Sequence, residues 1–392
     1  MERFTLHVRM TKHCNADCSY CSSWQEAPDQ YMRTPDFARA VDFIADEVLP
    51  LMGWQQGQGG HLSIQYVGGE ILLVPKSTLR GSVFYARDRF GSMFDVVTDG
   101  CQTNLIGKSD KIAALQTLFG HRLSTSVDNY GTQRTVKGSP ELYRAMLNKS
   151  RAELKRRRGL NAPAIYVVDA AGVEHAMDEL EIADREGYDL TYRAVFHGGK
   201  DVGAATIPEL SALYVDLFER WAMRGTTMIQ PHYQLLTTRL AERAGDEGLY
   251  KANFGCPFQK NCAFVSLNLD PNGDLYVCLD MADSGQYKLG NAIEERFERE
   301  VWEALAERRD HFDAKCRSCK FLEACQGGCM SEAVHHTGSP YGRTELCAVW
   351  LAVFDRIDAL IDREGIEAVA DWCRRIAMPK TGRFAVPQTA AE

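Results

Sequence analysis

Cys14-Asn15-Ala16-Asp17-Cys18-Ser19-Tyr20-Cys21 spaces three cysteines as C-x3-C-x2-C. Three thiolates in so short a stretch can wrap one face of a compact centre of soft metal. The count is informative. A structural zinc site closes with four ligands. A cubane iron–sulfur cluster held by three cysteines leaves one iron open to a ligand from outside the protein. The residues before the loop matter too. Phe4, Leu6, Val8 and Met10 alternate with Thr5, His7 and Arg9, a period of two that predicts a strand. The cysteines therefore stand where a first strand ends.

Working outward, the same alternation predicts strands at 62–67, 94–98, 122–127, 164–168 and 190–196. Helical periodicity fills the gaps at 36–51, 76–90, 110–119, 139–158, 173–187 and 208–223. Six βα units in series imply a parallel sheet with right-handed crossovers. Such a series makes an open doubly wound sheet or a partial barrel, and in both, ligands bind at the carboxyl ends of the strands. The pattern changes near residue 226. Residues 226–255 read as a bridge, 256–347 as a small loop-rich domain held by metal, and 348–392 as a closing helix over 348–378 and a tail.

Thirteen cysteines in 392 residues need a reason. The start of the chain lacks the apolar core of a secretory signal, and no apolar run is long enough to span a bilayer. A cytoplasmic location is expected, and there thiols serve metals more often than disulfides. The net charge of -8 argues against nucleic acid as a partner, and no membrane partner is expected.

Other polar motifs fall at predicted strand ends. Gly68-Gly69-Glu70 follows the second strand, where glycines let a ligand approach the backbone. Gln102-Thr103-Asn104 follows the third, and Ser126-Val127-Asp128 ends the fourth. Tyr192 and Arg193 lie on the sixth. The densest signal is later. Cys316, Cys319, Cys325 and Cys329 form C-x2-C-x5-C-x3-C, Cys347 follows, and Cys256, Cys262 and Cys278 precede. Asp270-Pro271-Asn272-Gly273-Asp274 supplies a hairpin turn between the last two of these. Eight cysteines suffice for two four-ligand sites, zinc or iron–sulfur.

The first cysteine loop, with Tyr20 before its last cysteine, resembles the signature of the radical S-adenosylmethionine (radical SAM) superfamily. The resemblance implies a partial (β/α)6 TIM-like barrel over 1–225. It also implies a [4Fe-4S] cluster on Cys14, Cys18 and Cys21 whose open iron is chelated by SAM. Gly68, Gly69 and Glu70 look like the motif that binds the SAM amino group. Asn104, Ser126 and Asp128 look like the segments that contact its ribose or carboxylate. Arg134 or Arg144 would pair with the carboxylate, and Arg144 is counted with the SAM set. The second cysteine field is similar to the SPASM domain attached to many radical SAM peptide modifiers. By that match Cys256, Cys262, Cys278 and Cys329 would hold one auxiliary [4Fe-4S] cluster. Cys316, Cys319, Cys325 and Cys347 would hold another. Cys101 and Cys373 are left over and read as buried thiols.

Reductive cleavage of SAM followed by hydrogen abstraction is the implied activity. The expected outcome is oxidative modification, by crosslink or dehydrogenation, of a ribosomally made peptide. A flavodoxin or ferredoxin type of protein is the expected reductant. Anaerobic sulfatase maturases are similar in layout, but their catalytic aspartate directly follows the third cysteine of the first auxiliary set. Here Leu279 intervenes and Asp280 comes one later. Asp280, Tyr192 and Arg193 are the candidates for substrate chemistry. A small-molecule (sugar or aminoglycoside) dehydrogenase or epimerase is a further enzymatic alternative, and a zinc protein or an iron–sulfur electron carrier the non-enzymatic one. Lys155-Arg156-Arg157-Arg158 reads as the solvated end of a helix, His335-His336 as loop residues, and Trp24 and Trp54 as packing aromatics.

Overall fold

The computed structural model describes residues 2–23, 31–120, 122–159, 161–196, 203–245, 256 and 258–378. Its wall begins with the alternation noted at the start of the chain. In β1 (Arg3–Arg9), Phe4, Leu6 and Val8 are buried against the helical layer, and Thr5 and His7 face the other way. Five strands follow as predicted units: β2 (His61–Val67), β3 (Val96–Gln102), β4 (Leu123–Ser126), β5 (Ala164–Val168) and β6 (Leu190–Ala194). The third lies later than the expected 94–98. Phe94 is a packing residue before it, in contact with Trp54, and the strand runs on to Gln102.

Two further strands lengthen the parallel set at its edges. β7 (Ile229–Gln230) pairs with β6, and β8 (Ser266–Leu269) pairs with β1. Three more, β9 (Asp274–Tyr276), β10 (Gly290–Asn291) and β11 (Arg296–Phe297), continue antiparallel from β8. The whole sheet runs β11-β10-β9-β8-β1-β2-β3-β4-β5-β6-β7. The expected bridge thus holds strand β7 and a helix. The expected second domain shares the sheet of the first.

The helices between strands are α1 (Thr34–Phe43), α2 (Lys76–Gly91), α3 (Ser109–Phe119), α4 (Pro140–Arg158), α5 (Ala176–Glu186) and α6 (Ile207–Trp221). A π-helical turn, Ile44–Val48, carries the first on toward Leu51. α6 opens with a capping box between Thr206 and Glu209. α7 (His232–Ala244) follows β7. The closing helix expected over 348–378 is two, α8 (Cys347–Glu364) and α9 (Ile366–Ala377), because Gly365 interrupts it at φ +83. His335 and His336 lie on a short helix, Met330–Thr337, and not in a loop.

Two apolar cores cross these boundaries. One joins Phe4, Ile64 and Phe90 to Leu267, Trp302 and Val334. The other joins Tyr166, Leu217 and Trp221 to Val353, Ile357 and Trp372. Among the described residues no helix is long and apolar enough to cross a membrane. The shared sheet makes a prediction. Leu267 on β8 is fully buried, so Leu267→Ala should cost ~2–5 kcal/mol and loosen the barrel together with the cysteine-rich segment, read as one lowered transition in denaturant.

Candidate active site

The cysteine loop leaves β1 at its carboxyl end and is braced on both sides. Asp17 and Cys18 pair antiparallel with Arg134 and Thr135. The backbone N–H of Ser19 donates to the carbonyl of Gln133 (3.0 Å), and that of Cys21 to the carbonyl of Cys18 (3.0 Å). Arg134 is buried, points Nη1 at Cys18 Sγ (3.8 Å) and stacks its cation over Tyr20. Asn104 donates Nδ2 to Asn15 Oδ1 (2.8 Å) and stands 3.6 Å from Cys14 Sγ. Burial pushes the Cys14 thiol up to about 12 and the Cys21 thiol up to about 11. Such thiols stay protonated unless a metal binds them. The three feel one another's charge. Three thiols as the donor set fit an iron–sulfur cluster with one iron left open.

Gly68 and Gly69 lie against this loop. A Cβ on Gly68 would stand 2.1 Å from Arg9 Cγ, and one on Gly69 2.3 Å from the His13 carbonyl oxygen. Both also have positive φ, +82 and +47, so no side chain fits. Glu70 is buried. Its backbone N–H donates to His13 (2.8 Å), and its carboxylate accepts from Leu72 N (2.9 Å), Thr103 Oγ1 (2.6 Å) and Asn104 N (2.6 Å). Burial raises the Glu70 carboxyl to about 7 against the pull of these bonds. Ser126 Oγ accepts from Gln102 Nε2 (3.1 Å), and Asp128 accepts from Gly131 N (2.6 Å).

The later cysteines gather into two quartets. Cys256, Cys262, Cys278 and Cys329 line one cavity with Thr5 and His7 of β1, and the Cys256 and Cys329 thiols hydrogen-bond each other. Cys316, Cys319, Cys325 and Cys347 line another. Burial pushes Cys262 and Cys325 up to about 12. Arg308, with no exposed surface, joins the two: its guanidinium donates to the carbonyls of Gly327 (2.8 Å) and Pro340 and feels Cys262, Cys329, Cys316 and Cys325. Beside the first quartet, Arg193 pairs with Asp280, and His7 presents a buried Nδ1 with no hydrogen-bond partner.

No family model matches the chain. It is 23% identical to a serine-type anaerobic sulfatase-maturating enzyme of Bacteroides thetaiotaomicron, over 89% of this chain and 88% of the other. Its fold is similar to that of native anSMEcpe with bound AdoMet, with a TM-score of 0.71 at 17% identity, covering 92% of this chain and 99% of that one. It is also similar to SuiB of Streptococcus suis bound to S-adenosylmethionine, with a TM-score of 0.56 at 15% identity, covering 88% and 77%. A three-cysteine loop ends the first strand of that fold here. The chain has the fold of these AdoMet-bound structures.

Within this radical SAM fold the expected residues take different places. Cys14, Cys18, Cys21, Gly68, Gly69, Glu70 and Asn104 come together at the strand ends. Arg134 lies on the cysteine loop. Arg144 does not: it donates to the Gly131 carbonyl (2.7 Å) and pairs with Glu141, so it braces the turn after Asp128. Tyr192 and Arg193 cannot both face inward, because neighbours on a strand point to opposite faces. Arg193 reaches Asp280, whereas Tyr192 turns to the helical layer and donates to the Ala176 carbonyl (2.8 Å). Trp54 is a packing residue against Phe4, and Trp24 lies outside the described residues. Cys101 and Cys373 are buried in the helical cores. Sequence reasoning passed over His7, Arg9, Asp283 and Arg308. Their signal was charge or imidazole within otherwise apolar elements.

Two outcomes follow from the geometry. Replacing Cys14, Cys18 and Cys21 by alanine should lower the metal that the chain holds and leave the two later cysteine sets loaded, by metal and sulfide analysis after anaerobic reconstitution. Arg308→Met should lower the metal held by both later sets at once, with the share bound by the N-terminal cysteines kept.

Proposed function

We propose that this chain is a radical SAM enzyme that oxidises an amino-acid side chain in a peptide or protein substrate, using three [4Fe-4S] clusters. Eleven cysteines grouped as three, four and four carry this reading. When bound, SAM at the N-terminal cluster supplies a 5′-deoxyadenosyl radical for hydrogen abstraction, and the auxiliary clusters supply electron acceptors. The residues of the chain do the rest. Glu70 and Asn104 hold the loop that carries Cys14. The glycines let the end of β2 pack directly against Arg9 and the His13 carbonyl beside that loop. The inward-facing Gln102, Ser124 and Ser126 form a hydrogen-bonded polar wall for ribose or substrate amides. Asp280, held by Arg193 beside the first quartet, accepts the substrate proton. Burial and the Arg9 charge hold His7 low, at about 4, so it stays neutral near pH 7 and can accept a hydrogen bond there. The surroundings are a cytoplasmic compartment with a flavodoxin or ferredoxin type of reductant.

A crosslink or dehydrogenation within a ribosomally made peptide is one form of the activity, favoured by the likeness to SuiB, which binds the precursor peptide SuiA. Oxidation of a serine or cysteine in a sulfatase-type target is the other. It is favoured by the likeness to the serine-type maturating enzyme along most of both chains. Asp280 also favours it. Although Leu279 separates it from Cys278, its carboxylate is charge-coupled to Cys256, Cys278 and Cys329.

The test is reductive SAM cleavage with peptides carrying a target serine or cysteine, followed by mass spectrometry. With 5′-deoxyadenosine formed, a serine product lighter by two hydrogens is expected, and from cysteine a thioaldehyde lighter by two hydrogens that water converts to the same aldehyde with release of hydrogen sulfide. Protein that binds zinc in place of iron, or iron without SAM cleavage, overturns the proposal. Asp280→Asn should keep 5′-deoxyadenosine formation while peptide oxidation drops ~100-fold.

A further inference from the structure

Arg9 is the largest charged side chain buried in the barrel, with about 1% of its surface exposed. It stands at the carboxyl end of β1, five residues before Cys14. Its Nη2 pairs with Asp283 (2.6 Å), and its Nη1 lies 3.3 Å from Asp270, which also receives Lys12 (3.0 Å). Asp283 accepts in turn from Ser22 Oγ (2.5 Å), the residue after Cys21. Asp283 belongs to the short helix Leu279–Ser284 that begins at Cys278. One run of contacts, Lys12–Asp270–Arg9–Asp283–Ser22, therefore joins the N-terminal cysteine loop to the element that carries a ligand of the first quartet.

One donor in this run is unspent. Arg9 Nε is buried without a hydrogen-bond partner, whereas Nη1 faces Asp270 in the ion pair just given. An unmade hydrogen bond from a buried charged group is costly. The room for it is nonetheless reserved, because Gly68 is a glycine where any Cβ would strike the Arg9 side chain. Besides its two carboxylates, the Cys21 thiolate favours the Arg9 charge. Asp283 acts on Cys21 with the opposite sign.

We propose that Arg9 is a positioning residue for the N-terminal iron–sulfur centre, its spare Nε–H donor serving the sulfur shell around Cys21 and its ion pair with Asp283 setting the local charge. Hydrogen bonds and positive charge near cluster sulfurs stabilise the reduced state and raise the reduction potential. The cluster is held by the residues assigned above, so the inference rests on the proposed function.

The test uses the reconstituted full chain. The component of the low-temperature EPR spectrum that changes when SAM is added identifies the N-terminal centre, and its midpoint is found by redox titration. Arg9→Lys keeps a cation but loses the fork of donors, and its midpoint should fall. Asp283→Asn keeps the contact with Ser22 but removes a negative charge, and its midpoint should rise. 5′-Deoxyadenosine formation in R9K at fixed reductant should slow ~10-fold or more, as for other residues next to metal ligands. A purely structural role would lower the thermal midpoint of both variants and leave both potentials at the wild-type value, and that result overturns the inference. Shifts of the same sign overturn it too. A wild-type spectrum indifferent to SAM defeats the functional reading itself, separately.

Discussion

The carboxylate of Glu70 ties three strand ends together. Its own N–H holds the segment leaving β1, its oxygens hold the backbone after β2, and the turn after β3 is bound through Thr103 and Asn104. A buried carboxylate is stable only when its lone pairs are used, and here three donors use them. The arrangement leaves Asn104 free to turn its amide toward Cys14 and Asn15. Loop, glycine pair and amide thus share one frame, and a cluster on the three thiols would inherit its position from it. Glu70 was expected to face the SAM ammonium. In this structure the same carboxylate first serves the chain.

Much of this was legible because the relevant residues obey simple periods. The two-residue alternation of β1 and the cysteine spacings needed only local rules. So did the placing of Gly68-Gly69-Glu70 after a strand. Cys256, Cys262, Cys278 and Cys329 line one cavity and Cys316, Cys319, Cys325 and Cys347 another. The misreadings have physical causes. Alternation says that Arg9 and His7 share a face, but not that Asp270, just after β8, and Asp283, on the helix after Cys278, close over Arg9. Arg9 therefore reads like any solvent-facing strand residue and is among the most buried. The same rule forbids Tyr192 and Arg193 from sharing a site, and choosing between them requires knowing which side is the barrel interior. Gly365 breaks the last helix, since nothing in the apolar pattern of 348–378 marks a change of axis. β7 and β8 were too short or too far along the chain to show as members of the first sheet.

Polar character is concentrated on the inner face of the barrel. His61 and Thr98, Gln102 and Ser124, and Gln102 and Ser126 hydrogen-bond from strand to strand. The outer faces of the same strands pack into aliphatic and aromatic cores. A barrel filled by branched aliphatics would be a solid core. This one keeps an interior that hydrogen-bonding groups can enter, and the first cysteine quartet opens onto it beside His7.

Cys329 sits within the C-x2-C-x5-C-x3-C run yet joins the quartet of Cys256, Cys262 and Cys278, while Cys347 completes the set of its neighbours. The two cavity-lining sets are therefore crossed along the chain. During synthesis the earlier set stays one cysteine short until most of the later set has emerged. The apolar strand β8, which lies between Cys262 and Cys278, belongs to the sheet beside β1, so the wall of the first cavity and the edge of the parallel sheet are built from one stretch of chain.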